Sequence, residues 1–522
     1  MKSNKILFIL NILWGCFACT DGLEVIPENS VTFENYFKTE KDIETSLNAL
    51  RDEFRSTCAF NANKTPIDLG FVHDTLRSTS AQKSFNWDAT QFTPIYVDFF
   101  WNSHYAIICY ANILLENIDK AEITQNRKDY YIGLAHFYRG FTYFRIAQKW
   151  GEAPLQTDSR DISKKTKSSV ADILQFALDE TNLAIKLLPL HDGLIDANGS
   201  QVTDKATPSK EIAQALKADL CAWKAAINNE PELWQGEAIN AANFVIDSCH
   251  YTLASDPEEV CTKVLPGGSD EGIFEIKFNY VEATRNPWTP MEEFVTFPIR
   301  PEDGRGDIKY CYARMFETTV DKMYPGHFEG MIAEGVYQGD KRRLAYFYDL
   351  DTIRKNAEWH ALAEGYAYPY KFRKAQLGTT SWSQGKFECF ACDHIIYRLA
   401  DLILLRAECY TRINKNDLAA KDLNRIRERA YGNRSHDYNA ATEGNNLRYI
   451  IFKEREKELL WEGKRWYDIV RNGYWKTELS KFHATQMTQQ DVDNGALYMP
   501  VGYPAFNENS LMTQNKYWQA RY

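Results

Sequence analysis

Tyr397-Arg398-Leu399-Ala400-Asp401-Leu402-Ile403-Leu404-Leu405-Arg406-Ala407-Glu408 is an apolar segment with charges of both signs set into it at helical spacing. The same mixture returns in Glu454, Arg455, Glu458, Glu462, Arg465 and Asp468. Side chains three or four apart share one face of a helix. Charges placed on otherwise apolar helices find their partners on neighbouring helices. The expectation is therefore a partly buried lattice of ion pairs fixing one helix against another, in which loss of one partner strands the other charge.

Working outward, the chain reads as successive amphipathic helices. Asp42 to Phe54 carries Ile43, Leu47, Leu50 and Phe54 at spacings of four, three and four. Ile95 to Ile118 and Asp129 to Trp150 form a pair, the second with a stripe of Leu134, Phe137, Phe141 and Phe144 and a stop at Gly151 and Pro154. Val170 to Leu188 is capped by Ser168 or Ser169. A further helix opens at Thr207-Pro208, with Pro at the first helical position, and Glu232 to Cys249 partners it. After the middle of the chain, helical order returns with Ile395 to Arg412, Leu418 to Tyr431 and Asn446 to Asn472, and the tail from Leu497 is extended and turn-rich. This is the rhythm of stacked, tetratricopeptide-like helix pairs, which bury a shared core that no single pair buries alone. The fold class expected is mostly α, a helical scaffold.

Between about Tyr251 and Cys392 the character changes. Pro266-Gly267-Gly268, Pro287-Trp288-Thr289-Pro290, Asp303-Gly304-Arg305-Gly306-Asp307 and Pro325-Gly326 punctuate it, and Ile273 to Phe278 is one of few strand-like runs. A loop-rich, strand-poor insertion of this length inside an ordered frame is expected to carry the ligand surface.

The first residues carry a different signal. Lys2 and Lys5 precede the apolar run Ile6 to Ala18, which is too short to cross a bilayer, a task that needs about 20 residues, and has the pattern of a signal-peptide core. It ends at Cys16-Phe17-Ala18-Cys19, which resembles a bacterial lipobox. Cys16 has Leu13 three residues before it, but Cys19 is the expected lipidation site. Eleven cysteines less Cys16 and Cys19 leave nine, an odd number that excludes a complete disulfide framework. Cys389-x-x-Cys392 is the one tight pair; with only His394 nearby, it makes a local disulfide or two ordinary thiols, not a zinc site.

Bulk composition narrows the class. Hydrophobic residues make up 44% and charged residues 25%, the balance of a globular protein. A net charge of −10 excludes the basic stripe of a nucleic-acid surface. Aromatic content is 14%, enough to spare rings for a surface that binds flat apolar faces.

Four motifs, the opening stretch among them, carry a family resemblance. Tyr397 to Glu408 resembles the SusD/RagB pattern Tyr-Arg-Leu-Ala-Asp-x-x-Leu-x-x-Ala-Glu. Leu423-Asn424-x-Ile426-Arg427-x-Arg429-Ala430 resembles its Leu-Asn-x-Ile-Arg-x-Arg-Ala. Glu454-Arg455, Glu458-Leu459, Glu462-Gly463-x-Arg465-Trp466-x-Asp468 and Arg471 resemble its next helix. Met499-Pro500, Asn509 and Gln514-Asn515-Lys516-Tyr517 resemble its closing segment, with the last spacing one residue tighter. The first half agrees more loosely. Cys19 to Pro27 resembles the start of a mature SusD-like chain, Trp101 to Asn112 one helix, and Arg139, Tyr143, Phe144, Trp150-Gly151 and Pro154-Leu155 another. The resemblance is weakest over 251–392.

The resemblance implies a lipoprotein signal peptide over 1–18, an N-terminal helical region over 19–250, a ligand-binding insertion over 251–392 and a C-terminal helical region over 393–522. It implies a lipid-anchored, surface-exposed outer-membrane protein that captures oligosaccharide and delivers it to a SusC-like TonB-dependent transporter. No cofactor and no metal are expected; Arg305 intrudes on the oxygen-rich loop at 303–307 that would otherwise suit calcium. Family glycan sites sit on loops whose residues do not transfer by position. Candidate ligand-binding residues are therefore aromatics in polar settings: Trp87, Trp288, Tyr324 and Trp382. A ring desolvates the C–H face of a sugar while polar neighbours pair with its rim hydroxyls. The alternative is a RagB-like peptide-binding or adhesive lipoprotein. A secreted glycosidase needs a carboxylate pair, which spacing does not single out among 71 acidic residues, so no enzyme is expected.

Overall fold

Ile43, Leu47, Leu50 and Phe54 are all buried along one face of α1 (Glu40–Cys58), where the four-three-four spacing puts them. The structure is a computed structural model and describes residues 36–58, 76–77, 94–277, 314–326, 332–333, 336–363, 365–381, 383–385, 387–478, 487–507 and 509–519. From α1 the helices follow as successive packed neighbours: α2 (Pro94–Asn117), α3 (Gln125–Lys149), α4 (Val170–Leu187), α5 (Lys210–Ile227) and α6 (Asn240–Ser248). The frame closes with α11 (Leu399–Arg412), which packs on α5, α6, α12 (Asn416–Tyr431) and α13 (Leu447–Glu458); α14 (Arg465–Asn472) packs on α13 and α5. The stacked helix pairs expected from periodicity are thus the architecture.

Helix α3 lies at the centre of this stack. Leu134, Phe137, Phe141 and Phe144 are at most 3% exposed, and each buried side chain of this size contributes roughly 1.5–3 kcal/mol. The approach of α4 is close at a glycine: a Cβ on Gly140 would sit 3.1 Å from the Ala177 carbonyl oxygen and from the Glu180 Cβ, tighter than most such contacts. Ser169 supplies the cap of α4, its hydroxyl accepting from the Asp172 amide at 3.1 Å. Past α3, Trp150 ends the helix and Gly151 turns the chain at φ 76°.

Several boundaries differ from the expectation. Helix α5 begins at Lys210, capped by Ser209, rather than at Thr207-Pro208, because the Asp204 carboxylate gathers the Ala206 and Thr207 amides into a turn. The segment before α6 is a π-helical turn, Trp234–Ile239. Ile395 to Arg398 is not helical. It belongs to strand β2 (His394–Arg398), paired antiparallel with β1 (Gly272–Ile276). Asn446 to Asn472 is two helices, broken where Trp461 (φ 61°) and Gly463 (φ 74°) adopt left-handed conformations.

The β1–β2 pair joins two cores, Ile395 of β2 lying in the second and Tyr397 in the first. Phe274 packs against Phe137 and Phe141 of α3, with ring centroids 5.4 and 6.1 Å apart. The second core lies under the insertion and includes Val260, Met315, Tyr324, Tyr346, Phe347 and Trp461. In the insertion the described elements are short: α7 (Glu317–Met323), α8 (Arg342–Tyr346), α9 (Leu350–Lys355) and α10 (Ala357–Ala363), with strands of two to five residues.

Candidate ligand-binding surface

The charges of the opening stretch form the joint between the two cores. Arg398, 1% exposed, grips Glu462 with two parallel bonds (2.7 and 2.8 Å) and reaches Glu271 and Glu458 at 2.7 and 2.8 Å. Arg429 bonds the same two glutamates, Glu271 and Glu458. Arg342 holds Asp340 through two bonds and Glu454 at 2.5 Å. Lys371, fully buried, donates to Glu462 at 2.6 Å and to the Glu458 and Leu460 carbonyls. A second knot ties Arg455 to Asp401 and Asp468, and Arg471 to Glu408. A third, in the first half, has Arg139 holding Glu180 by two bonds and Asn112 by one.

Burial alone would raise these carboxyls. The arginines overrule it, holding Glu454 down at about 2 and Glu458 well below the usual carboxylate range. These carboxylates are ionised, fully engaged and structural: each is committed to a cation that fixes one element against another. Glu271, Asp340, Arg342 and Lys371 come from the insertion, so the lattice seats the insertion rigidly on the helical frame.

Of the expected ligand-binding residues, Trp87, Trp288 and Trp382 lie outside the described residues, as do Cys19 and the 303–307 loop. Tyr324 corrects the expectation. Its side chain is 0% exposed, and its hydroxyl donates to the Lys457 carbonyl at 2.8 Å. Beside Pro325 and Gly326 it looked like a loop aromatic, yet it caps α7 and packs beside Phe347, so it presents nothing to a ligand. Cys392 is a free thiol, which burial pushes up to about 12.

One surface aromatic was missed. Trp359, on α10 in the insertion, is 49% exposed. The Asn356 side chain accepts from the Glu358 and Trp359 amides at 3.1 Å, which fixes the start of the turn that carries the ring. Glu358 and His360 flank it, and His360 lies 3.3 Å from Glu317. Trp359 stands in a polar setting, as Trp87, Trp288 and Trp382 do in the sequence. An exposed indole with carboxylate and imidazole beside it offers an apolar plane and rim hydrogen bonds.

A polar cavity of about 350 Å³ opens at the seam, lined in part by Asp204, Lys205, Gly267, Glu275, Lys374 and Asp393. Glu275, 3% exposed, accepts from the Gly268 amide at 2.8 Å through one oxygen, while the other has no hydrogen-bond partner among the described residues. Burial, reinforced by Asp393 and Asp204 and opposed by Lys205, pushes its carboxyl up to about 7. Among the described residues no group of three or more His, Cys, Asp or Glu is placed to hold a metal ion, and no helix is long and apolar enough to cross a membrane.

Comparison with known proteins adds to this geometry. A profile for the SusD family matches residues 334–518, and a second, described as starch-binding associating with outer membrane, matches 23–207. SusD-like protein P2 of Formosa agariphila is 26% identical over 500 residues, spanning 90% of this chain and 91% of that one. A solved SusD homolog from Bacteroides thetaiotaomicron superposes with a TM-score of 0.70 at 19% identity, covering 92% of this chain and 99% of that one. Surface glycan-binding protein A from the same organism, solved in complex with laminarihexaose, superposes with a TM-score of 0.66 at 18% identity over 92% and 100% of the two chains.

Proposed function

This chain belongs to the SusD family, and from that premise we propose that it is a cell-surface glycan-binding lipoprotein of the outer membrane, which captures an oligosaccharide uncleaved and passes it to a SusC-like TonB-dependent transporter. The observation that carries the reading is Trp359, an exposed indole on an insertion that a buried ion lattice holds rigid. A rigid support lets an aromatic plane meet a sugar face without an ordering penalty. Each stacked ring contributes on the order of 1 kcal/mol beyond area burial, so capture draws on several. In this reading Trp87, Trp288 and Trp382 supply further planes, and Tyr324 serves packing alone. The family description, association with the outer membrane, supports the location, and the laminarihexaose complex of a protein with this fold supports the ligand class. Acylation at Cys19 is the proposed anchor, since several acyl chains hold a protein on a membrane where one does not.

Titration calorimetry of protein lacking residues 1–19 against plant, host and microbial polysaccharides, with peptide pools as a control, tests the reading. Saturable heat from a glycan without release of reducing ends is the expected result. Binding confined to peptides, or new reducing ends, overturns it. In whole cells, Cys19→Ser releases the protein from the membrane fraction, whereas Cys16→Ser leaves it there.

A further inference from the structure

The buried arginines of the lattice are matched by carboxylates. Burial on its own would lower Arg398, Arg455 and Arg471, and the acids bonded to them raise all three above the ordinary arginine value. Arg412 behaves differently. Burial lowers it, the charges of Arg448 and Arg471 reinforce the shift, and Glu408 and Tyr474 oppose it without reversing it. Glu408 is already committed, because Arg471 takes both its oxygens, at 2.8 and 2.7 Å.

The reason is geometric. Arg412 is the last residue of α11, and its guanidinium lies over the ring of Trp234, 5.0 Å from the centroid. Its Nη2 donates to the Asn472 side chain at 3.0 Å and to the Arg471 carbonyl at 3.4 Å. Its Nε is buried with no hydrogen-bond partner among the described residues. The C-terminal end of α11 favours one cation through the helix dipole, but a second bears on it. Arg448 stands in the first turn of α13, the end at which a helix disfavours positive charge, and no acid shares that turn. Its Nε donates to the Tyr474 hydroxyl at 3.3 Å. Among the described residues neither Arg412 nor Arg448 is in an ion pair. Both, like Tyr474, are half-buried and reachable from solvent. Two like charges held together, with a buried donor unmatched, cost stability and are unexplained by folding.

We propose that Arg412 and Arg448, with the Tyr474 hydroxyl, form a binding site for one oxyanion, a sulfate or phosphate group, where the end of α11 meets the start of α13 and the end of α14. Guanidiniums pair with such oxygens through short, charge-assisted hydrogen bonds. An anion between the two arginines replaces one repulsion with two attractions. The Tyr474 oxygen accepts from Arg448, which leaves its own O–H to donate to the anion. Trp234 is 5% exposed, so its ring positions the Arg412 guanidinium and does not itself meet the ligand. Every residue of the site belongs to the helical frame, away from the insertion, and the inference does not depend on the oligosaccharide reading. The oxyanion is carried on a sugar or is a free ion, and the chemistry that recognises it is the same.

The experiment follows thermal melting of protein lacking residues 1–19 at pH 7 and constant ionic strength, with low-millimolar sulfate or phosphate replacing chloride. A saturable rise of about 1–2 °C is expected. Arg448→Gln removes the rise and, by relieving the repulsion, leaves the melting temperature in chloride equal to the parent's or above it. Arg412→Gln also removes the rise, although loss of its bond to Asn472 lowers the starting point. No rise with either anion, an undiminished rise in Arg448→Gln, or a lower melting temperature for Arg448→Gln in chloride overturns the site. Glucose 6-phosphate against inorganic phosphate then separates the sources: greater stabilisation by the ester assigns the oxyanion to a sugar, and no greater stabilisation assigns it to the free ion. Failure of the site leaves the proposed function standing, since titration with neutral polysaccharides tests that reading separately.

Discussion

Arg398 and Glu462 meet in a two-pronged pair, Nε to Oε2 at 2.7 Å and Nη2 to Oε1 at 2.8 Å, with Arg398 1% and Glu462 7% exposed. Arg398 ends strand β2 and caps helix α11; Glu462 lies in the turn between α13 and α14. Their pairing therefore fixes a strand end, a helix start and a left-handed turn at one point. Lys371 and Arg398 also take the carbonyls of that turn, at Leu460 and Glu458, which is how Trp461 is held at φ 61°.

Glu458 is the common acceptor of this joint, bonded by Arg398, Arg342 and Arg429. Glu458→Gln keeps the shape and removes the charge, leaving three buried guanidiniums short of an anion. Breaking a buried pair from one side costs about 3–5 kcal/mol. Urea denaturation is expected to show a loss of that size. Asp52→Ala, which removes a solvent-facing partner of Arg55, leaves the midpoint unchanged.

Tyr324→Phe separates packing from recognition. The ring stays in the second core while the bond from its hydroxyl to the Lys457 carbonyl is lost. The expected cost is about 1 kcal/mol, read by thermal melting, with glycan affinity unchanged. A change in affinity at constant stability would return Tyr324 to the binding surface.

How far the sequence could be read follows from which forces are local. The stripe on α1 and the order of the helix pairs were legible because their period is set within each helix. The ion lattice was legible because buried charges must be paired. Strand β2 was not: Ile395, Ile396 and Tyr397 continue the apolar run of α11, and only pairing with β1, far earlier in the chain, makes them extended. The break at Trp461 was hidden for the same reason, since a non-glycine left-handed residue is held there by groups from elsewhere. Tyr324 misled because polar neighbours suggest exposure, whereas its partner is a distant carbonyl. Trp359, between Glu358 and His360, is legible by the same rule as the other tryptophans.

Acid should steady the seam cavity. The Glu275 carboxyl titrates near 7 in the folded chain against an ordinary 4.5, so the native state holds its proton to higher pH than the unfolded state does. That contribution is fully present below about 4.5 and is lost as pH rises through 7. The difference amounts to about 3 kcal/mol. Gly268, Lys205, Asp204 and Asp393 face the group, with Lys277 and Lys374 lining the same cavity. Glu275→Gln removes the titration, so denaturation midpoints measured from pH 5 to 8.5 should fall for the parent protein and fall less for the variant. Parallel curves would show that Glu275 does not titrate in this range.

Replacement of the candidate tryptophans tests where recognition lies. Trp359 is half in solvent and contributes little to either core, so Trp359→Ala removes a plane without leaving a cavity. If it stacks on a sugar, affinity falls about five-fold with the melting temperature unchanged. Trp87→Ala, Trp288→Ala and Trp382→Ala are expected to weaken binding in the same way, each by a similar factor. Because stacked rings act on different sugar units, the losses should multiply in combination. A neutral result at all four positions, in protein that still binds the glycan, would move the binding surface off these residues and leave the lattice as the support of some other face.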